Sequence, residues 1–183
     1  MDRFRPASLI TIAVFSAALL ALRAAPLPAS GTTPAAHEGN ADQVYGSLWL
    51  YQGTWELRMS PDSAPQTIQN RCSRIEKYFA CQQTVGGQLS SLIVFIPAEE
   101  KGHYFTQTVL PQGFAGGRGE LTIEGEHWEY NSKGEENGKT TFYRTTNAFS
   151  GRDKIHFEQA VSPDGDHWSI KSSGDEIRIR TPK

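Results

Sequence analysis

A Gly-x-Trp sequence, Gly53-Thr54-Trp55, opens a long succession of short segments in which apolar and polar residues alternate. Alternation with a period of two is typical of a β-strand that buries one face. At the start of such a series, a glycine lets the first strand bend, and the indole can close one end of a small barrel. The pattern therefore predicts an all-β protein whose first strand begins here.

The alternation and the turn signals between segments predict about ten strands. The predicted strands are 54–59, 66–73, 78–85, 89–96, 103–110, 120–123, 126–131, 139–148, 154–162, 168–171 and 176–180. Segment 113–119 contains four glycines and is predicted to be a flexible connection or a mobile lid. No helix of crossover length separates the strands, so the sheet is predicted to be antiparallel and sequentially connected.

An open sheet with this many strands tends to close, because closure removes its exposed edges. The predicted fold is therefore an antiparallel up-and-down β-barrel of about 8–10 strands, with a two-sheet sandwich as the alternative. A short N-terminal helix is expected before Gly53, because Asn40 to Gln43 resembles a capping box and apolar residues then recur at helical spacing.

The first 25 residues have the pattern of a cleavable signal peptide, with Arg3 and Arg5 before an apolar run from Leu9 to Leu22. This run has 14 residues, and a membrane-spanning helix needs about 20. We therefore expect cleavage, a periplasmic or secreted protein, and no stable membrane anchor. Residues 26–40 are predicted to be a disordered leader, and residues 41–183 the barrel domain.

The charge of the chain argues against a nucleic-acid partner. The full sequence has a formal net charge of -2. Removal of Asp2, Arg3, Arg5 and Arg23 with the signal peptide would take away a net +2 and leave -4. A mildly acidic domain lacks the basic surface that nucleic acids require.

The two cysteines, Cys72 and Cys81, lie in adjacent predicted strands with eight residues between them. In an exported protein this spacing predicts a disulfide across a hairpin. The spacing is wrong for a redox pair or for a metal site.

The chain resembles the lipocalin-like (calycin) barrels, and more closely bacterial secreted proteins of the DUF1579-like kind. The segments that carry the resemblance are 48–55, the cysteine hairpin and 162–168. The resemblance covers essentially the whole mature domain and implies the barrel fold, but the DUF1579-like group has no settled activity. It also implies a barrel closure in which the tryptophan of Gly-x-Trp packs under a basic residue of the last strand; the closure residues would be Gly53, Trp55, Arg178 and Arg180.

Aromatic residues on several strands either fill the barrel or line a cavity with a few polar groups. We predict an exported protein that binds a small apolar or amphipathic molecule inside the barrel. The candidate ligand-binding residues are the apolar walls Trp128, Tyr130, Tyr143 and Phe157 and the polar anchors Gln107, Arg144 and Gln159. The alternatives are a filled barrel that serves as a structural or protein-interaction module of the envelope, and an enzyme that uses the cavity.

No catalytic residue, metal site or cofactor is predicted, because the sequence has none of the common nucleophile, zinc or phosphate-loop motifs. His127 and His156 could reach a haem iron, as resemblance to the nitrobindin barrels would require. Those barrels carry a longer glycine-rich extension after Gly-x-Trp, whereas Glu56, Leu57 and Arg58 follow Trp55 here. Ordinary surface histidines are therefore favoured.

Overall fold

The computed structural model describes residues 41–180, so the predicted signal peptide and leader lie outside the described residues. In place of the single predicted helix, α1 (Ala41–Tyr45) and a 3-10 helix (Ser47–Tyr51) are separated by Gly46, a poor helix former. The chain then forms ten strands. They are β1 (Gly53–Arg58), β2 (Gln66–Ile75), β3 (Tyr78–Val85), β4 (Gln88–Pro97), β5 (His103–Val109), β6 (Ala115–Glu124), β7 (His127–Glu136), β8 (Lys139–Ser150), β9 (Lys154–Ser162) and β10 (Ser169–Ile179).

Each strand pairs antiparallel with its neighbours in the chain, and β1 also pairs with β10, so the sheet closes into a barrel. Short turns make this order the natural one, because a two-residue connection such as Gly86-Gly87 returns the chain directly alongside the strand it leaves. The predicted antiparallel up-and-down barrel with a short helix is confirmed, and the sandwich alternative is wrong.

Two details of the strand prediction are wrong. The glycine-rich segment is not a lid, because β6 already begins at Ala115. A Cβ at Gly119 would lie 2.6 Å from the Asn131 carbonyl oxygen and 2.7 Å from the Tyr130 ring, so glycine here allows β6 to lie close to β7. Segments 168–171 and 176–180 belong to one strand, β10, whose pairing shifts between Ile170 and Ser172. Such an irregularity interrupts the alternation without ending the strand.

Cys72 and Cys81 lie directly opposite each other on β2 and β3 and form the predicted disulfide. Both are buried, so the bond lies within the core. Disulfides persist in oxidising compartments, and this one indicates an environment outside the cytoplasm. Within residues 41–180, no helix has both the length and the apolar character needed to span a membrane.

Candidate functional site

The interior face of the barrel can be traced from Trp55 on β1, which is fully buried. Opposed residues of neighbouring strands point to the same face, so the pairing register carries this assignment around the sheet. Trp55 lies opposite Ile68 and Arg178, for example, and those residues also face the interior. The buried apolar residues assigned to the interior are Trp55, Leu57, Ile68, Phe79, Phe95, Tyr104, Leu121, Trp128, Phe149, Ile155 and Phe157.

The lower end of the barrel is sealed by the two helices. Leu48 of the 3-10 helix is 1% exposed, and Tyr45 of α1 stacks on Phe79 with 5.3 Å between the ring centroids. The Tyr45 hydroxyl donates a hydrogen bond to the Lys77 carbonyl oxygen at 2.8 Å, and the Tyr104 hydroxyl donates one to the Val44 carbonyl oxygen. The lower half of the interior is therefore filled with side chains.

Arg178 of β10 covers Trp55 at this sealed end. The Arg178 Cζ lies 4.0 Å from the centroid of the indole ring, and the guanidinium donates hydrogen bonds to the carbonyl oxygens of Leu50, Gln52 and Arg152. Gly53 leaves room for this arrangement: its φ is 141°, and a Cβ there would collide with the Arg178 Nη1. One guanidinium thus joins the first strand, the last strand and the 3-10 helix.

Arg180 takes a different partner, because its guanidinium pairs with the Asp153 carboxylate on the surface. Arg152, Arg178 and Arg180 line a wide, open cleft of about 670 Å³ below the barrel. Asp153 pairs with both Arg178 and Arg180, so one of the three positive charges of this cleft is balanced within the protein.

The upper half of the interior differs from the lower half, because solvent reaches it. Its residues face inward by register but are only half-buried. We call this region the cup; its residues are Gln83, Val85, Ser91, Ile93, Thr108, Tyr130, Ser132, Tyr143, Thr145, Asn147 and Val161. Its lining combines aliphatic and aromatic carbon with hydroxyl and amide groups. The barrel is thus sealed below and open above.

Four polar side chains lie together at the bottom of the cup, and we call them the polar floor: Tyr51, Asn70, Gln83 and Glu176. The Gln83 Nε2 donates to the Tyr51 Oη at 3.3 Å and to the Asn70 Oδ1 at 3.2 Å. Burial raises the pKa of Tyr51 above its ordinary value, and the negative charge of the nearby Glu176 carboxylate raises it further. The phenol of the 3-10 helix therefore reaches up to hydrogen-bonded side chains on β2 and β3, close to the Glu176 carboxylate on β10.

Glu176 is 8% exposed and lies opposite Leu57 and Ile155 on the interior face. Burial raises the pKa of Glu176 to about 7. Its Oε2 has no hydrogen-bond partner, and neither has the Nε1 of Trp128, which is 3% exposed. An unpaired buried polar group costs roughly 1–3 kcal/mol. Among the described residues, these are the two buried side-chain polar atoms without a hydrogen-bond partner. The Glu176 Oε2 is an acceptor, the Trp128 Nε1 is a donor, and both residues face the interior.

The four predicted wall residues all face the interior. Trp128 and Phe157 are buried, and Trp128 packs against Tyr51 with 6.2 Å between the ring centroids. Tyr130 and Tyr143 are half-buried members of the cup. The Tyr143 hydroxyl donates to the Glu136 Oε1 at 2.7 Å, and burial together with this carboxylate raises the pKa of Tyr143 to about 12.

The three predicted polar anchors occupy different places. Gln159 faces inward near the upper rim, where its Oε1 accepts a hydrogen bond from Ser172. Gln107 lies on the outer face and accepts a hydrogen bond from Arg118 at 2.9 Å. Arg144 also lies on the outer face, where its Cζ is 4.3 Å from the centroid of the Trp168 ring. The register thus brings Gln159 toward the cup and turns Gln107 and Arg144 away from it.

The described histidines, His103, His127, His156 and His167, all lie outside the interior. The His156 Nδ1, for example, is 2.9 Å from the Asp175 Oδ1 on the outer surface. A haem iron bound inside the barrel through a histidine would need an interior histidine, and none of these four has that position. Within residues 41–180, no group of three or more His, Cys, Asp or Glu side chains is arranged to hold a metal ion.

Most of the interior polar residues are absent from the predicted site. Glu176 lies two residues before Arg178 on one strand, so the two side chains point to the same face. Because the expected closure pairs Arg178 with Trp55 in the interior, Glu176 belongs to the interior as well. Asn70 likewise lies between Ile68 and Cys72 in one buried stripe. Tyr51 gave no such signal, because its position depends on how the 3-10 helix enters the barrel.

These features define the class of the protein: a closed ten-stranded antiparallel β-barrel, sealed at one end by helices and open at the other. No protein-family model matches the chain, and no curated protein matches it. Among solved structures, the chain is similar to Rv2717c from M. tuberculosis, with 13% sequence identity over 78% of this chain and 99% of that chain and a TM-score of 0.46. A likeness this distant carries no argument about function.

Proposed function

We propose that the protein is an exported, lipocalin-like carrier that binds a small amphipathic molecule in the cup. The observation that carries the proposal is the difference between the two halves of the interior. Below, buried apolar side chains fill the barrel; above, inward-facing residues such as Thr145 and Val161 remain accessible to solvent. A concave, partly apolar space with a few polar groups is the common form of a small-molecule site.

The composition of the cup favours an amphipathic ligand over a purely apolar one. Ile93 and Val161 offer apolar contact, while Thr145 and Asn147 offer hydroxyl and amide groups on the same surface. A hydrocarbon alone would leave those polar groups without partners, at a cost for each one. The signal-peptide pattern and the disulfide support export.

Binding can be measured with N-phenyl-1-naphthylamine, a neutral dye that fluoresces in apolar surroundings. We expect saturable enhancement with one dye per chain. The variant Thr145→Trp fills the cup and should weaken binding by about tenfold or more, which corresponds to about 1.4 kcal/mol.

The matched control is Thr146→Trp. Thr146 is also half-buried, but it pairs with Glu129 and Glu158 on the outer face. This variant should bind the dye as the wild type does, and circular dichroism would establish that both variants fold. Absence of dye binding to the wild type, or equal binding by both variants, would contradict the proposal.

A further inference from the structure

Glu176 is a buried acidic group that forms no ion pair with any residue between 41 and 180. Its neighbours across the sheet, Leu57 and Ile155, are uncharged. The next residue on the same face of β10 is Arg178, whose guanidinium is directed to backbone carbonyl oxygens, Asp153 and the Trp55 ring. In the described part of the chain, the Glu176 Oε2 has no hydrogen-bond partner.

Aromatic rings surround the same part of the interior. Tyr51 is close enough to Glu176 for its pKa to respond to the carboxylate, and the Tyr51 ring lies 6.2 Å from the Trp128 ring. Phe157 lies opposite Gly174, one step above Glu176 on the same face. Aromatic faces attract cations, and they do so more strongly where water is excluded. A carboxylate next to such rings is suited to an organic cation.

From this arrangement, and on the basis of the proposed function, we infer that the ligand carries a protonated amine that binds at the polar floor with Glu176 as its counter-charge. The amine would donate a hydrogen bond to the Glu176 Oε2. The unpaired Trp128 Nε1 would donate to a hydroxyl or carbonyl oxygen on the same ligand. The apolar part of the ligand would extend upward along the cup.

Other ligand charges fit less well. A ligand carboxylate would place a second negative charge beside Glu176, and like charges at short range in a buried site repel strongly. A neutral alcohol could satisfy the Oε2 but would leave the charge of an ionised carboxylate uncompensated. An ammonium group supplies both a donor and the missing charge.

Amine binding at Glu176 should depend on pH. Burial raises the pKa of Glu176 to about 7, so the empty site is mainly neutral below this pH and charged above it. The other titratable or charged groups that face Glu176 are the Tyr51 phenol from the 3-10 helix and Arg178 on its own strand; β1 and β9 present Leu57 and Ile155. Amine binding should therefore weaken as the pH falls below about 7, while binding of a neutral alcohol should not.

The test compares decylamine, decanol and decanoate, which share one hydrocarbon chain, by isothermal titration calorimetry at about pH 8. We expect the wild type to bind decylamine at least about tenfold more tightly than decanol, and decanoate most weakly. In Glu176→Gln, the ratio of decylamine to decanol affinity should fall by about tenfold, to near one. The matched control is Glu120→Gln on the exposed outer face, which should retain the preference.

The outcomes separate this inference from the proposed function. If none of the three compounds binds, both fail. If all three bind the wild type equally, or if Glu176→Gln keeps the preference for the amine, the inference fails and the carrier function stands. Should Glu176→Gln not fold, the ratio of decylamine to decanol affinity in the wild type is measured between about pH 6 and 8; a ratio independent of pH overturns the inference.

Discussion

Replacing Trp55 with alanine is expected to lower the free energy of unfolding by about 3–5 kcal/mol, the usual cost of removing a large buried aromatic side chain. Trp55 is fully buried, and its Nε1 donates a hydrogen bond to the Tyr51 carbonyl oxygen at 3.2 Å. The substitution also removes the ring on which Arg178 rests, so the junction of β1, β10 and the 3-10 helix loses part of its packing. Urea denaturation followed by circular dichroism measures the loss.

Trp49→Ala is the matched control for this change. Trp49 lies four residues before Gly53 on the 3-10 helix, is 40% exposed and makes one edge contact with Phe79. We expect it to cost less than half as much as Trp55→Ala, because a large part of its surface already contacts solvent. Equal losses for the two variants would show that Trp55 has no special role in closing the barrel.

Glu176→Gln is expected to stabilise the unliganded protein at alkaline pH, by up to about 3 kcal/mol. The pKa of Glu176 is raised from 4.5 to about 7 on folding. Between these two values the folded state holds a proton that the unfolded state has released, so the stability of the wild type falls as the pH rises through this range. Above about 7 the folded protein carries a buried, uncompensated carboxylate; glutamine carries no charge at any pH.

The measurement is the free energy of unfolding in urea at about pH 4.5, 6 and 8 for the wild type and the variant. The difference between them should grow in favour of Glu176→Gln from the lowest to the highest pH. Glu120→Gln should follow the wild type throughout, because Glu120 is exposed. A difference that does not change with pH would mean that Glu176 titrates normally in the folded state.

Much of the fold could be predicted from local patterns. Alternation with a period of two gives the strands, and short turns leave few ways to connect them other than as neighbours. Where the prediction is wrong, non-local contacts decide the structure. Gly119 belongs to a strand because the Tyr130 ring and the Asn131 carbonyl oxygen of β7 lie against it, and a single sequence does not show that approach.

The site could be predicted only in part, because alternation does not reveal which of its two phases faces inward. Trp128 and Phe157 lie inside, since buried rings are the main material of the interior, and their contact with a ligand stays a prediction. Gln107 and Arg144 lie on the outer face, whereas Glu176 lies inside. Only the pairing register, anchored at Trp55 and Arg178, distinguishes these cases.

The most direct test of the central claim, that ligand occupies an interior open at one end, is protection of introduced thiols. The described chain has no free cysteine, so Thr145→Cys and Thr146→Cys each add one reactive group. We expect both to react with a small methanethiosulfonate reagent, and saturating N-phenyl-1-naphthylamine to slow the reaction at residue 145 but not at residue 146. Equal rates at residue 145 with and without bound dye would contradict the account.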